Sequence, residues 1–504
     1  MRPFSQAFVL GISIVVTALG QEPSGSDLLR TLKTRAAQVI EEARPSVVCI
    51  LVSRSDAYAR APFWGVEPTT TLDGALGRFD ATEAARLVPT DAPHRQRILR
   101  TIQQHDLSDP TTVPESYGSG FVVDRTGLIL TNAHVVRNAT RIFVRLPGKK
   151  GSWADILASD PRSDLAILKL LDPPGELHAL PLGDGGTVRT GQFVISLANS
   201  YAPGFPASDE ATAGHGLISN LRRRIPGNTS EMERSKITLH HYGTLIQTDA
   251  ATTPGCSGGA LLNLDGKVIG MTTALAAIRG DRPGGFAIPF DASTRRIIDV
   301  LKKGEEVEYG FLGVVLGNPG GGGVRVTRVS PGSPAARSGL VAGDLIVGIN
   351  GNAIRDSDDL FLHVGMALAG QTARVEVARG LGGATRTFPV KLAKFYVAGP
   401  IIAAKRPPSR FGLRVDYASI LSQRNPFFAM SRTPSEGVII REVVPGSSAD
   451  KARLQPDKVI TQVNDRPIAT PEDYYREIAR AGKSVELTFL NSEGRSEKLT
   501  LEDK

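Results

Sequence analysis

Residues 117–289 are written in short apolar or alternating runs, and this pattern limits the possible folds more than any other feature of the chain. The runs fall at 120–123, 128–131, 141–146, 165–170, 193–197, 244–249, 260–263 and 267–273, with turn-forming residues between them. Short strands at such spacing predict an all-β barrel or sandwich. The chain's 53 glycines and 33 prolines favour strands and turns over a helical bundle.

The segment that follows contains an internal repeat. Val324-Arg-Val-Thr-Arg-Val-Ser-Pro331-Gly332-Ser333 is echoed by Val438-Ile-Ile-Arg-Glu-Val-Val-Pro445-Gly446-Ser447. Leu340, Ile346, Asn350 and Ile354 are matched in register by Leu454, Ile460, Asn464 and Ile468. Two copies are too few for a solenoid, so they predict two small domains joined by a linker at Lys405-Arg406-Pro407-Pro408. A chain of 504 residues accommodates three domains of ~150 residues each. Helical spacing predicts helices over 27–43, ending at Pro45, and over 291–303. Residues 55–116 read as an insertion with two short helices, at 81–87 and 94–105.

At the N-terminus, Arg2 precedes an apolar run from Phe8 to Leu19, followed by the small residues Ala18 and Gly20. This is the pattern of a signal peptide over residues 1–20 with cleavage before Gln21, an uncleaved anchor being the alternative. The two cysteines, Cys49 in an apolar run and Cys256 in a glycine-rich turn, lie in unrelated surroundings and read as free thiols. A net charge of +8 with scattered Lys and Arg, densest at Arg222-Arg223-Arg224, does not point to nucleic acid.

Three segments carry chemistry: Gly118-Ser119-Gly120-Phe121 with Thr131-Asn132-Ala133-His134-Val135-Val136; Ser163-Asp164-Leu165-Ala166-Ile167; and Gln247-Thr248-Asp249-Ala250 with Gly255-Cys256-Ser257-Gly258-Gly259. They supply a His, an Asp and a Ser in the order of chymotrypsin-like proteases. A serine hydroxyl needs an imidazole base, and a carboxylate fixes that imidazole's tautomer. The turn Gly255-Cys256-Ser257 is the candidate oxyanion hole, with the N–H groups of Gly255 and Ser257 as donors. Gly320-Gly321-Gly322-Gly323 lacks the Lys and helix start of a phosphate loop, and His240-His241 lack partners at metal-ligand spacing. No cofactor or metal is expected.

Residues 117–289 resemble the protease domain of the HtrA (Deg) family, through the Thr-Asn-Ala-His-Val-Val, Asp-Leu-Ala-Ile-Leu-Lys and Gln-Thr-Asp-Ala-Ala boxes and Gly285-Phe286-Ala287-Ile288-Pro289. The two repeats resemble PDZ domains. The resemblance implies a mainly β chain: a chymotrypsin-like double β-barrel over 27–303, then α+β PDZ-like domains at 310–394 and 409–502. It implies catalysis by His134, Asp164 and Ser257 on unfolded or damaged exported proteins, a homo-oligomer of three subunits or a multiple of three, and a periplasmic location. A non-proteolytic chaperone or peptide scaffold is the competing reading. Phe311-Leu312-Gly313-Val314 and Arg410-Phe411-Gly412-Leu413 resemble loops that bind a peptide's C-terminal carboxylate; the second copy has Asp457-Lys458 where the first has Gly343-Asp344. Thr272, Thr273, Ala274, Ala276 and Ala277 are expected to wall the specificity pocket, and without an acidic side chain there the preference is for small or aliphatic residues. Cys256 stands where the family usually has Asn, next to the nucleophile, and suggests redox sensitivity. The segment 200–241 reads as a lengthened loop.

Overall fold

The structure is a computed structural model that describes residues 25–54, 106–109, 112, 114–148, 150–200, 210–224, 238–253, 255–273, 285–319, 322–380, 384–424, 437–490 and 495–502. The signal segment, both helices expected within 55–116, and Ala274, Ala276 and Ala277 lie outside the described residues.

Helix α1 (Gly25–Ala43) leads into six strands: β1 (Val47–Ser53), β2 (Ser116–Asp124), β3 (Leu128–Asn132), β4 (Arg141–Leu146), β5 (Lys150–Asp160) and β6 (Leu165–Leu170). They are ordered β5-β4-β1-β2-β3-β6, and pairing of β5 with β6 closes the barrel. A second closed barrel follows, ordered β10-β11-β12-β9-β8-β7, from β7 (Phe193–Ala198), β8 (Thr212–Arg223), β9 (Leu245–Thr248), β10 (Ala260–Leu262), β11 (Val268–Thr273) and β12 (Gly285–Pro289). The near-continuous apolar runs of β1, β3 and β11 are buried along their whole length. Two strands differ from the sequence expectation. β5 is an 11-residue strand that alternates in burial and carries Gly, Ser and Asp, so no apolar run marks it. β8 occupies 12 residues of the segment expected to be a loop, and most of its side chains are exposed or half-exposed.

Helix α2 (Ala292–Lys302) closes the domain. Asp291 caps it by accepting the Thr294 N–H at 2.8 Å, and Ile297, Ile298 and Leu301 sink into the core shared by both barrels.

The repeats fold as two copies of one topology. In each, an outer strand, Val314–Pro319 or Leu413–Tyr417, pairs on one side only, and its other edge has no strand partner among the described residues. A helix runs near that edge: α3 (Ser357–Met366) in the first copy, α4 (Pro471–Arg480) in the second. The matched residues do the same work. Leu340, Ile346 and Ile354 are buried, as are Leu454, Ile460 and Ile468. Asn350 and Asn464 both take a positive φ and accept a backbone N–H across the sheet, from Arg374 at 2.8 Å and Glu486 at 2.9 Å.

The connector is stitched down rather than free. Before reaching Lys405, Ile402–Ala403 adds a short strand to β5, and the Lys405 N–H donates to Gly304 O at 2.8 Å.

Candidate active site

The register of β3 and β6 places the first pair of residues. Antiparallel pairing from Leu128 opposite Lys169 to Asn132 opposite Leu165 sets the residues leaving β3 beside the residue entering β6. The Ala133 N–H donates to Asp164 O at 3.0 Å. Asp164 takes φ +57°, a conformation an Asp tolerates better than most residues. Its buried carboxylate lies 2.8 and 3.0 Å from His134 Nδ1 and accepts the His134 backbone N–H at 2.9 Å. Asn132 adds a third donor: its Nδ2 lies 3.2 Å from Asp164 Oδ2 and 3.1 Å from Asp164 O. Nδ1–H donation to Asp164 leaves His134 Nε2 as the acceptor.

Ser257 lies in the turn before β10, only 6% exposed. The Ser119 N–H donates to Ser257 O at 2.7 Å, Ser119 Oγ donates to Gly255 O at 2.8 Å, and Thr131 Oγ1 holds Ser119 O at 2.7 Å. Gly118 is where the two halves of the site meet: a Cβ there would lie 2.7 Å from Val135 Cγ2 and 3.2 Å from Ser257 O. Gly258 has φ +90°, and a Cβ on it would come within 1.9 Å of Ser119 O, so no side chain fits.

The turn's internal bonds distinguish its amides. The Cys256 N–H donates to Thr253 O at 3.0 Å, Gly258 N–H to Thr272 O at 2.9 Å and Gly259 N–H to Cys256 O at 2.9 Å. The Cys256 N–H is thus committed inside the turn. Its thiol is buried and accepts the Thr253 N–H at 3.2 Å. Thr272 braces the turn, its hydroxyl donating to Cys256 O at 2.5 Å, and Thr273 is buried beside it at the end of β11. His240 is buried, with Nε2 3.0 Å from Ser163 O and Nδ1 3.3 Å from Thr244 Oγ1; burial lowers its pKa.

The two PDZ-like loops differ. Phe311, Leu312, Gly313 and Val314 line one end of a groove between the outer strand and α3, with Gly313 at φ +83°. In the second copy Phe411, Gly412 and Leu413 form the matching loop, but the groove is shut. Tyr475 of α4 accepts the Val415 N–H through its hydroxyl at 3.1 Å, and Arg410 donates to Ile478 O at 2.8 Å and Gly482 O at 2.6 Å. Counting from the helix caps at Asp356 and Thr470, Phe361 is the first copy's counterpart of Tyr475. It has no hydroxyl, and its ring stacks on Tyr242 of the second barrel at 5.3 Å.

Asn132 and Tyr475 were not singled out from sequence. Asn132 lies inside the His134 box, which was its only signal, and Tyr475 becomes visible only when the two repeats are aligned through their helix caps.

Residues 118–271 match a trypsin-like peptidase domain, and 310–392 and 439–491 each match a PDZ domain. A probable periplasmic serine endoprotease, DegP-like, of Hahella chejuensis is 31% identical over 396 residues, spanning 75% of this chain and 78% of that one. A protein of the same description from Pseudomonas putida (strain W619) is 32% identical over 493 residues, spanning 92% and 91%. A solved structure described as HtrA-type protease AlgW with decapeptide is 26% identical and covers 72% of this chain and 99% of its own, with a TM-score of 0.48. The chain belongs to the HtrA (Deg) family of serine endoproteases, with a trypsin-like peptidase domain followed by two PDZ domains.

Proposed function

We propose that Ser257, His134 and Asp164 hydrolyse peptide bonds in unfolded or damaged exported proteins. The observation that carries this reading is the Asp164 carboxylate gripping both His134 Nδ1 and the His134 backbone N–H. His134 Nε2 takes the proton of Ser257 Oγ as the oxygen attacks the scissile carbonyl. Asp164 stabilises the imidazolium, which then protonates the departing amine. Water attacks the acyl-enzyme with His134 again as base. The N–H groups of Gly255 and Ser257 bind the oxyanion, while the Cys256 N–H is tied to Thr253 O, the Gly258 N–H to Thr272 O on β11 and the Gly259 N–H to Cys256 O. Each such donor lowers the barrier by ~3 kcal/mol.

Thr272 and Thr273 stand at the wall of a pocket for small or aliphatic residues, a preference that rests on the sequence Ala274, Ala276 and Ala277 after them, outside the described residues. Mass spectrometry of casein fragments tests this: cuts mainly after Lys or Arg would reject it. The first PDZ domain takes peptide C-termini at Phe311–Val314 along its unpaired strand edge. The second, with Val415 occupied by Tyr475, takes none in this arrangement. The relatives are named periplasmic, and we assign this chain to the same compartment, exported by a signal peptide cleaved after Gly20. Three subunits, or a multiple of three, complete the assembly.

The central experiment digests unfolded casein with the native enzyme and with Ser257→Ala. Loss of cleavage with unchanged folding is expected; comparable cleavage by both would overturn the assignment.

A further inference from the structure

Arg162 belongs to the protease domain, in the turn between β5 and β6, yet its side chain reaches the first PDZ domain. The residue is 4% exposed. Its guanidinium carbon lies 4.0 Å from the centroid of the Phe395 ring and 5.1 Å from that of Tyr309. Nη2 lies 3.4 Å from where a Cβ on Gly365 of α3 would stand. Arg162 lines a small, mainly apolar cavity of about 70 Å³ together with Gly310, Leu312, Gly313, Leu360 and Val364. This is the carboxylate-loop end of the peptide groove.

Arg162 Nε and Nη1 are buried and have no hydrogen-bond partner among the described residues. Asp160, in the same turn, spends its carboxylate on Ser163 and on the Tyr309 hydroxyl instead. The two aromatic rings offset part of the cost of desolvating the guanidinium, but they leave its N–H groups unsatisfied. A guanidinium with unsatisfied N–H groups, lining the end of an apolar slot, fits one ligand chemistry, a carboxylate.

We propose that Arg162 is the cation of the first PDZ domain's carboxylate site, so that the site is composite and the protease domain completes it. The proposal rests on the reading that this domain binds peptide C-termini. The backbone amides of the loop position the terminus, Arg162 supplies the charge, and the terminal side chain fills the apolar cavity. Arg162 lies two residues before Asp164, in one turn held by Asp160.

The test uses full-length Ser257→Ala protein, so that peptides are not digested, and one apolar peptide made with a C-terminal carboxylate or a carboxamide. Calorimetry on this background is expected to give at least about tenfold tighter binding of the acid. Arg162→Gln is expected to weaken the acid about tenfold, leave the amide nearly unchanged, and so shrink the acid-to-amide ratio by the same factor. Arg162→Lys, which keeps the charge without the guanidinium, falls between. The ratio is read within each variant, so a general loss of affinity does not imitate the effect. An unchanged ratio in folded Arg162→Gln overturns the role of Arg162 and leaves the peptide site standing. If neither peptide binds the Ser257→Ala protein, the peptide-binding reading fails and this proposal with it.

Discussion

Replacing Asn132 by Ala separates the alignment of Asp164 from the existence of the catalytic pair. The amide donates to Asp164 O at 3.1 Å and to Asp164 Oδ2 at 3.2 Å, while its own Oδ1 is buried without a partner. Hydrogen bonds to a charged acceptor contribute about 1.5–3 kcal/mol and neutral ones about 1, whereas an orphaned buried acceptor costs about 1–3 kcal/mol. Deleting the side chain removes both kinds of term, so the net loss of stability is small, about 1–2 kcal/mol with the minor cavity included. Catalysis loses one of three donors orienting the carboxylate. We expect kcat/KM on a short fluorogenic peptide to fall about tenfold, which is ~1.4 kcal/mol, with KM nearly constant because Asn132 does not meet substrate. Urea unfolding gives the stability and initial rates give the activity. Unchanged kcat/KM in a variant destabilised by more than ~3 kcal/mol would make Asn132 a packing residue. A loss as complete as that of Ser257→Ala would mean that two donors cannot hold Asp164 at all, and would also refute the reasoning.

Tyr475→Phe copies the first domain's Phe361 into the second; faster hydrogen exchange at the Val415 amide and a second peptide-binding event in calorimetry are expected, and exchange as slow as in the native protein would show that the edge is covered by something else. Cys256, buried and engaged by Thr253, is expected to react with maleimide at least about tenfold more slowly in native than in urea-unfolded protein; rapid native labelling would restore it as a redox-accessible group. Lys394→Met removes the buried ammonium that Asp416 meets at 3.0 Å, Glu306 at 2.7 Å and Glu308 at 3.2 Å, and is expected to cost about 3 kcal/mol at pH 8. Burial already raises the Glu308 pKa, so its folded form binds a proton more readily than its unfolded form. Stability from that proton is present at low pH and lost as pH rises, so the deficit in urea midpoint should be smaller at pH 5 than at pH 8.

The neighbourhood of His134 and Asp164 was legible because strand ends place them. Asn132 closes an apolar run and Leu165 opens another, and antiparallel pairing of these two runs brings His134 and Asp164 together. The tight turn at Ser257 announced itself through Gly255, Gly258 and Gly259 for a steric reason: Ser119 O stands where a Cβ on Gly258 would be. β5 and β8 were not legible as strands, because their half-exposed faces carry Gly, Ser, Asn and Arg, and only closure of the barrels fixes them. The two PDZ loops looked equivalent in sequence, yet Phe411 takes φ +57° in a short 3-10 turn where the first copy has the strand Gly310–Phe311. Part of the difference between the two grooves lies in one hydroxyl on a helix 62 residues further along the chain than Leu413, counting to Tyr475. The position of Arg162 depends on how two domains meet, which no local pattern encodes.

The hydrogen bond from Lys405 to Gly304 turns the first PDZ domain into an excursion that leaves the barrels and returns to its starting point. Departure and return share one pivot, so the lobe has a stalk instead of a tether at each end. The load path to the second PDZ domain runs from β5 through Ile402–Ala403 and bypasses the first domain's interior. Yet Lys394 clasps Asp416, and Gln423 accepts the Tyr396 N–H, so the second lobe holds the first by its flank. Both lobes are thus tied to each other and, through Gly304 and Lys405, to the barrels. The stacking of Phe361 on Tyr242 and the ion pairs of Arg222 with Asp359 and of Arg224 with Asp358 seat the first lobe on the second barrel, so the second lobe inherits its position from contacts it does not make itself.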